Sequence, residues 1–250
     1  QLCSKIKGWM EKFRPSPGSL GASMASAAPR ITPRTAPVGS GRIQAVVIGV
    51  STGGPKALSR MLPAFSALVE CPILVVQHMP PHFTKSLADS LAKYCRHRVI
   101  EGDNEMLVES KTIYIAPGGM HMVVRREGGK VYTALNRQPP ENGCRPSVDV
   151  LFRSAGPVYG SDLLAVIMTG MGCDGAASLR ALKRAGATIV AQDEASSVVW
   201  GMPGSAVATG TVDQVAGLDQ LPQTLAKIVL GTQTDAIRTK KSSSDSLGDG

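Results

Sequence analysis

Ser51, His78 and Asp174 each stand just beyond an apolar run, and together they have the makings of acyl-transfer chemistry. Ser51 lies in Ala45-Val46-Val47-Ile48-Gly49-Val50-Ser51-Thr52-Gly53-Gly54-Pro55, an apolar run that ends in Gly-x-Ser-x-Gly. A run of this kind reads as a buried parallel strand, and the glycines permit a tight turn into a following helix. A free serine hydroxyl is a poor nucleophile. It needs a base, an acid that orients the base, and donors for the developing oxyanion. A serine on a strand-to-helix turn is the nucleophile elbow of hydrolases. Glycine-rich turns also bind phosphate or merely connect elements, so the motif alone leaves those readings open.

The partners follow two other runs. After Ile73-Leu74-Val75-Val76 comes Gln77-His78-Met79-Pro80-Pro81-His82, whose prolines forbid regular helix. His78 thus sits on a strand-to-loop junction, where a general base or a structural histidine can stand. After Leu163-Leu164-Ala165-Val166-Ile167-Met168 comes Thr169-Gly170-Met171-Gly172-Cys173-Asp174-Gly175, a second glycine-rich turn. Asp174 opens the next helix, as its N-cap or as the acid that orients His78. A metal held by His78 and His82 is not expected, because the prolines spoil the helical spacing. His97 and His121 follow no comparable strand end and read as structural or surface residues.

The elements that must position these residues alternate. Strands are expected at 43–50, 73–77, 112–116, 163–168 and 188–191, with a weaker one near 212–215. Helices are expected at 55–68, 83–94, 147–158, 174–185, 203–208 and 219–230. Met120–Arg125 and Lys130–Leu135, joined by Glu127-Gly128-Gly129, form a hairpin signal. The pattern predicts an α/β fold: a doubly wound, mostly parallel sheet with helices on both faces in three layers, plus a small β-hairpin. Sites in such sheets assemble beyond the carboxyl ends of the strands, where all three residues fall. Their order, Ser…His…Asp, is not the Ser…Asp…His of the α/β-hydrolases, so the chemistry fits and that lineage does not.

Composition narrows the class. The chain has 250 residues and a net charge of +8, but the first forty carry +5 and residues 41–230 only +3. A charge concentrated outside the globular part argues against nucleic acid as a partner. No apolar run approaches the ~20 residues of a membrane span, and no signal peptide opens the chain. The cysteines Cys3, Cys71, Cys95, Cys144 and Cys173 are scattered, odd in number and free of CxxC, which fits reduced thiols in the cytoplasm. Leu2, Ile6, Trp9, Met10 and Phe13 recur at helical spacing, residues 14–42 read as a Pro/Ser/Gly-rich linker, and 231–250 read as disordered.

Six segments, taken together, resemble the catalytic domain of the chemotaxis protein-glutamate methylesterases, the CheB family. They are Gly49-Val50-Ser51-Thr52-Gly53-Gly54-Pro55, Val76-Gln77-His78-Met79-Pro80, Ile113-Tyr114-Ile115-Ala116-Pro117-Gly118, Arg145-Pro146-Ser147-Val148-Asp149-Val150-Leu151-Phe152, Met168–Gly175 and Gln192–Pro203. The resemblance covers roughly 43–230 in consistent order. It implies a triad of Ser51 as nucleophile, His78 as base then acid, and Asp174 as orienter, with no cofactor and no metal. Thr52 and Met171 match active-site neighbours, the Met171 N–H being an oxyanion donor. Arg145, Met171, Trp200 and Met202 are candidates for lining the substrate, with core packing the other reading for each, Met202 above all.

The resemblance further implies a protein that removes methyl groups from glutamate γ-methyl esters on chemoreceptor cytoplasmic helices, and that in some members deamidates glutamines. It implies a phosphorylatable N-terminal receiver domain that covers the site, with residues 1–13 at its end. The chain departs from the family pattern at Cys144, at Cys173 where Asn is common, and at Trp200 where Tyr is more usual. Two other readings stay in play from the residues alone: an esterase for unrelated small esters, and a non-catalytic nucleotide or regulatory module. The second lacks GxGxxG and GxxxxGK[ST].

Overall fold

Every residue of Ala45–Val50 is buried, and the chain uses both sides of it. Successive strand side chains point to opposite faces. Val46, Ile48 and Val50 enter one core, Ala45 and Val47 the other. The next apolar run sorts the same way, with Ile73 and Val75 on one side and Leu74 and Val76 on the other. The runs are continuous rather than alternating because both faces of the sheet are covered.

The computed structural model describes residues 43–231. The helical spacing over 1–13, the linker over 14–42 and the polar stretch after 231 lie outside the described residues. In chain order the elements are β1 (Ala45–Val50), α1 (Gly54–Leu68), β2 (Ile73–Gln77), α2 (Phe83–Ala92), β3 (Arg98–Glu101), β4 (Thr112–Ile115), β5 (His121–Glu127) and β6 (Lys130–Asn136). Then come α3 (Val148–Tyr159), β7 (Leu163–Ile167), α4 (Ala176–Arg184), β8 (Thr188–Gln192), α5 (Gly201–Ala208), β9 (Gln214–Ala216) and α6 over 221–231.

Seven strands form one sheet in the order β3-β4-β2-β1-β7-β8-β9, every neighbouring pair parallel. β5 and β6 pair antiparallel as a separate hairpin. Leu58, Leu62 and Phe65 of α1, Leu87 and Leu91 of α2, and Leu221 and Leu225 of α6 cover one face. Leu151 and Phe152 of α3, Leu179 and Leu182 of α4, and Ala206 of α5 cover the other, joined by Met122 and Val124 of the hairpin. This is the doubly wound three-layer architecture expected. β3 was not expected. It is a four-residue edge strand, and an edge strand half open to solvent needs no apolar run.

The topology decides where a site can form. From β1 the chain moves through α1 to β2 on one side, and from β7 through α4 to β8 on the other. β1 and β7 are neighbours, so the loops after them part and leave a crevice over their carboxyl ends. Ligands of open α/β sheets bind at such switch points.

Candidate active site

Ser51 is the first residue past β1. Gly53, the residue before α1, takes φ 81°, a left-handed conformation that glycine adopts without a Cβ penalty. The turn closes with Gly54 N–H donating to Ser51 O at 2.8 Å. Ser51 N–H donates to Thr169 O at 3.0 Å, and Thr169 Oγ1 donates to Thr52 O at 2.9 Å. Gln77 Nε2 donates to Ser51 O and to His78 O, each at 3.0 Å. The elbow backbone is thus braced by β2 on one side and by the loop after β7 on the other. Ser51 Oγ itself has no hydrogen-bond partner among the described residues. Gly170 passes so close that a Cβ there would lie 2.7 Å from Ser51 Cβ and 2.4 Å from Met202 Sδ.

The β1–β2 register pairs Val50 with Gln77, so Ser51 and His78 face one another just past the strand ends. His78 N–H donates to Val50 O at 3.1 Å. Neighbouring strands run about 4.8 Å apart, within side-chain reach. On its other side His78 Nε2 meets Asp174 Oδ2 at 2.8 Å, with Asp174 almost wholly buried. Register thus brings Ser51 next to His78, and the loop after β7 brings in Asp174.

Asp174 accepts four further hydrogen bonds. Val148 N–H reaches Oδ2 at 2.7 Å, while Ser147 Oγ, Asn142 Nδ2 and Asp149 N–H reach Oδ1 at 2.8, 3.0 and 3.1 Å. Burial pushes the carboxyl up, but the bonds from His78, Val148, Asn142 and Ser147 outweigh it and hold Asp174 well below the ordinary carboxylate range. An ionised Oδ2 only accepts, so His78 carries its proton on Nε2 and Nδ1 holds the lone pair. The ring is turned the opposite way from the common serine-protease arrangement, in which Nδ1–H faces the acid.

Of the two roles left open for Asp174, the cap of its own helix is set aside by these contacts. The residue before α4 is Gly175, with no side-chain cap. Asp174 instead caps α3, taking the first two N–H groups of that helix. Asp149, from the first turn of α3, returns the arrangement by accepting Ser178 N–H of α4 at 2.8 Å. Each helix start, with its unpaired N–H groups and positive dipole end, is satisfied by a carboxylate from the other. Asn142 Nδ2 donates to both carboxylates, at 3.0 Å to each, which its two N–H bonds allow.

Thr52 and Met171 sit on the rims of the crevice, and Met171 is 69% exposed. Trp200 is half-buried, precedes α5, and bridges to Gly170 beside Ser51. Two of the lining candidates do something else. Met202 is fully buried beneath Gly170 and belongs to the core, its long apolar side chain filling the space that glycine leaves. Arg145 turns Nη1 of its guanidinium to the carbonyls of Arg137 and Gln138 at 3.2 and 3.0 Å, while its buried Nε has no hydrogen-bond partner among the described residues. His121 is structural as expected: Nδ1 accepts Ser147 N–H at 3.2 Å and Nε2 donates to Pro139 O at 3.1 Å.

With this geometry in view, the relatives are informative. A family model described as CheB methylesterase matches residues 46–225. The chain belongs to the CheB methylesterase family. A protein-glutamate methylesterase/protein-glutamine glutaminase of Trichodesmium erythraeum is 43% identical over 186 residues, 74% of this chain and 53% of that protein. A protein of the same name from Desulfotalea psychrophila is 44% identical over 214 residues, 81% of this chain and 59% of its own length. The crystal structure of the Thermotoga maritima CheB methylesterase catalytic domain matches with a TM-score of 0.73 at 40% identity, over 74% of this chain and 98% of that one. The chain spans little more than half the length of these curated relatives.

Within the CheB fold several site residues escaped the sequence reading. Gln77 and Thr169 brace the elbow, and a polar residue closing an apolar strand was the available signal. Asn142-Gly143 marks a tight turn, both residues at positive φ, with Glu141 and Cys144 exchanging backbone hydrogen bonds across it. That turn places Asn142 between the two carboxylates and Cys144 against His78, with Sγ 3.5 Å from Nδ1. Ser147 before an apolar helix was legible as a helix start, but not as a donor to a carboxylate 27 residues away.

Proposed function

We propose that this chain hydrolyses glutamate γ-methyl esters on chemoreceptor cytoplasmic helices, with Ser51 as nucleophile, His78 as base and Asp174 as orienter. The observation that carries the reading is the His78–Asp174 pair, held by four further donors to the carboxylate and standing in register with the serine of a strand-to-helix elbow. Ser51 Oγ attacks the ester carbonyl while Nδ1 of His78 takes its proton. The imidazolium is stabilised by Asp174, and its proton leaves with methoxide as methanol. Water then attacks the acyl-serine with Nδ1 as base, releasing the glutamate and restoring Ser51. The N–H groups of Thr52 and Met171 serve as donors to the carbonyl oxygen as it becomes an oxyanion. No step calls for a cofactor.

The same cycle hydrolyses a glutamine side-chain amide, the second activity in the names of the relatives. The amine is the poorer leaving group, so this reaction is the slower one. Phe83 at the start of α2 and Met171 and Val198 on the loops after β7 and β8 are each more than half exposed and offer apolar contacts suited to a receptor helix. The same groups suit a phosphorylatable receiver domain that would cover the site, and a protein with these partners works in the cytoplasm. The test is methanol release from methylated receptor membranes by the parent and by Ser51→Ala. Release by the parent alone supports the reading. Equal release by both removes Ser51 from its role, and turnover of small soluble esters without receptor preference supports a general esterase instead.

A further inference from the structure

We propose that Cys144 and His78 form a reversible inhibitory site for Zn²⁺. Cys144 Sγ lies 3.5 Å from His78 Nδ1, and the Asp174 carboxylate completes a His/Cys/Asp group whose ligand atoms all lie within 4.8 Å of one another. Tetrahedral zinc has Zn–N of about 2.0–2.1 Å and Zn–S of about 2.3 Å, which sets the two ligand atoms about 3.6 Å apart. The pair already stands at that spacing.

Three features show that the spacing is built into the fold. His78 holds its proton on Nε2 against Asp174, which turns the Nδ1 lone pair toward Cys144 Sγ and forms the carboxylate–histidine arrangement that orients metal-binding imidazoles. Cys144 is anchored by two backbone hydrogen bonds across the Glu141–Cys144 turn, at 2.9 and 3.1 Å. Glu141 in turn pairs with Arg153 of α3. The ligand chemistry also selects the ion, since a thiolate with an imidazole suits zinc and not magnesium or calcium. Binding replaces the thiol proton, which goes to solvent, with a zinc–sulfur bond, and solvent water fills the remaining positions. The thiolate and Asp174 together balance the charge of the ion. With only two direct protein ligands the ion comes and goes, unlike a structural zinc with four.

The consequence rests on the function proposed above. Zinc on Nδ1 takes the lone pair that receives the Ser51 proton, so a filled site cannot start the reaction. Cys144 and its metal are then a brake specific to this chain's departure from the family pattern.

Cobalt(II) is the probe, because thiolate ligation gives it a charge-transfer absorption in the near ultraviolet. The whole chain is expected to take up one cobalt with that band, and zinc to displace it. Zinc is expected to reduce ester hydrolysis by tenfold or more at saturation. Cys144→Ser is expected to lose the band and to need roughly 100-fold more zinc for the same inhibition, since even an outer partner of a ligand is worth about 10–100-fold. Cys173→Ser, altering an exposed thiol three residues past Gly170, is expected to keep both responses. No band in the parent, or a band that survives in Cys144→Ser, overturns the proposal. A Cys144-dependent band in a chain that releases no methanol upholds the site and counts against the proposed function instead. Alkylation of the unaltered parent by iodoacetamide needs no variant to fold: zinc is expected to shield Cys144, and shielding confined to other cysteines overturns the site.

Discussion

The two glycine-rich turns over the carboxyl edge of the sheet look alike in sequence and behave in opposite ways. The turn after β1 fixes its backbone through Gln77 and Thr169 yet leaves Ser51 Oγ without a partner among the described residues. The turn after β7 leads to a side chain, Asp174, that is buried and held by five donors. The contrast follows from what each group must do. In the proposed mechanism Ser51 Oγ is left to donate to its base and to attack the ester, and bonds to other groups would only hold it back. An orienting carboxylate works only if it is ionised and immobile, and in a buried place that takes donors on every side.

Ser51→Ala is expected to lower kcat by roughly 10⁶-fold while leaving stability within about 0.5 kcal/mol of the parent, because the lost hydroxyl holds nothing. Chemical denaturation beside the methanol assay checks both halves.

Asp174→Asn is expected to cost both activity and stability. The loss in kcat should be about 10⁴-fold, with roughly 2–4 kcal/mol of stability lost, since an amide turns an N–H face toward donors that require an acceptor. The stability difference should also depend on pH. Asp174 is held below its ordinary value of 3.8, so the unfolded chain binds more protons wherever the two states differ. The contribution is therefore full above about pH 5 and fades as pH falls below about 4, and the denaturation midpoints of parent and variant should converge there. Midpoints that stay equally far apart at low pH would show that the carboxylate charge does not matter.

Gly170→Ala acts at the seam between the two turns. Its new methyl group would meet Ser51 Cβ at 2.7 Å, so the elbow must shift. A displacement of about 1 Å costs on the order of 100-fold in rate, and overpacking costs about 1–3 kcal/mol. A crystal structure of the variant with Ser51 unmoved would refute the account. The smallest effect is expected from Asn142→Ala. It removes one donor to Asp174 and the bridge between two buried carboxylates, and should lower kcat about tenfold, equivalent to roughly 1.4 kcal/mol. Asn142→Asp should be worse than Ala, because it adds a third negative charge at that point.

Much of this was legible in the residues. The two-sided burial of the apolar runs announced a parallel sheet, and strand ends carrying Ser51 and His78 announced the site, because local pattern and strand periodicity are sequence properties. β3 stayed hidden because an edge strand of four residues leaves no apolar signature. The residues left Met202 between lining the site and packing, and it fills the core under Gly170, since an apolar residue near a motif looks the same whether it faces substrate or packing. Asp174 was rightly paired with a helix start, but with the wrong helix: an N-cap signal says that a carboxylate seeks free N–H groups and not which chain segment supplies them.

The family, the layering of the fold and the three candidate catalytic side chains were legible in the residues, because they depend on residue type, periodicity and order along the chain. Long-range packing set which nitrogen of His78 faces Asp174, that α3 and α4 exchange their capping carboxylates, and that Cys144 stands at Nδ1. Those are contacts between segments distant in sequence. They are fixed by strand register, by the switch point between β1 and β7 and by one tight turn, and no local pattern encodes the distances that result.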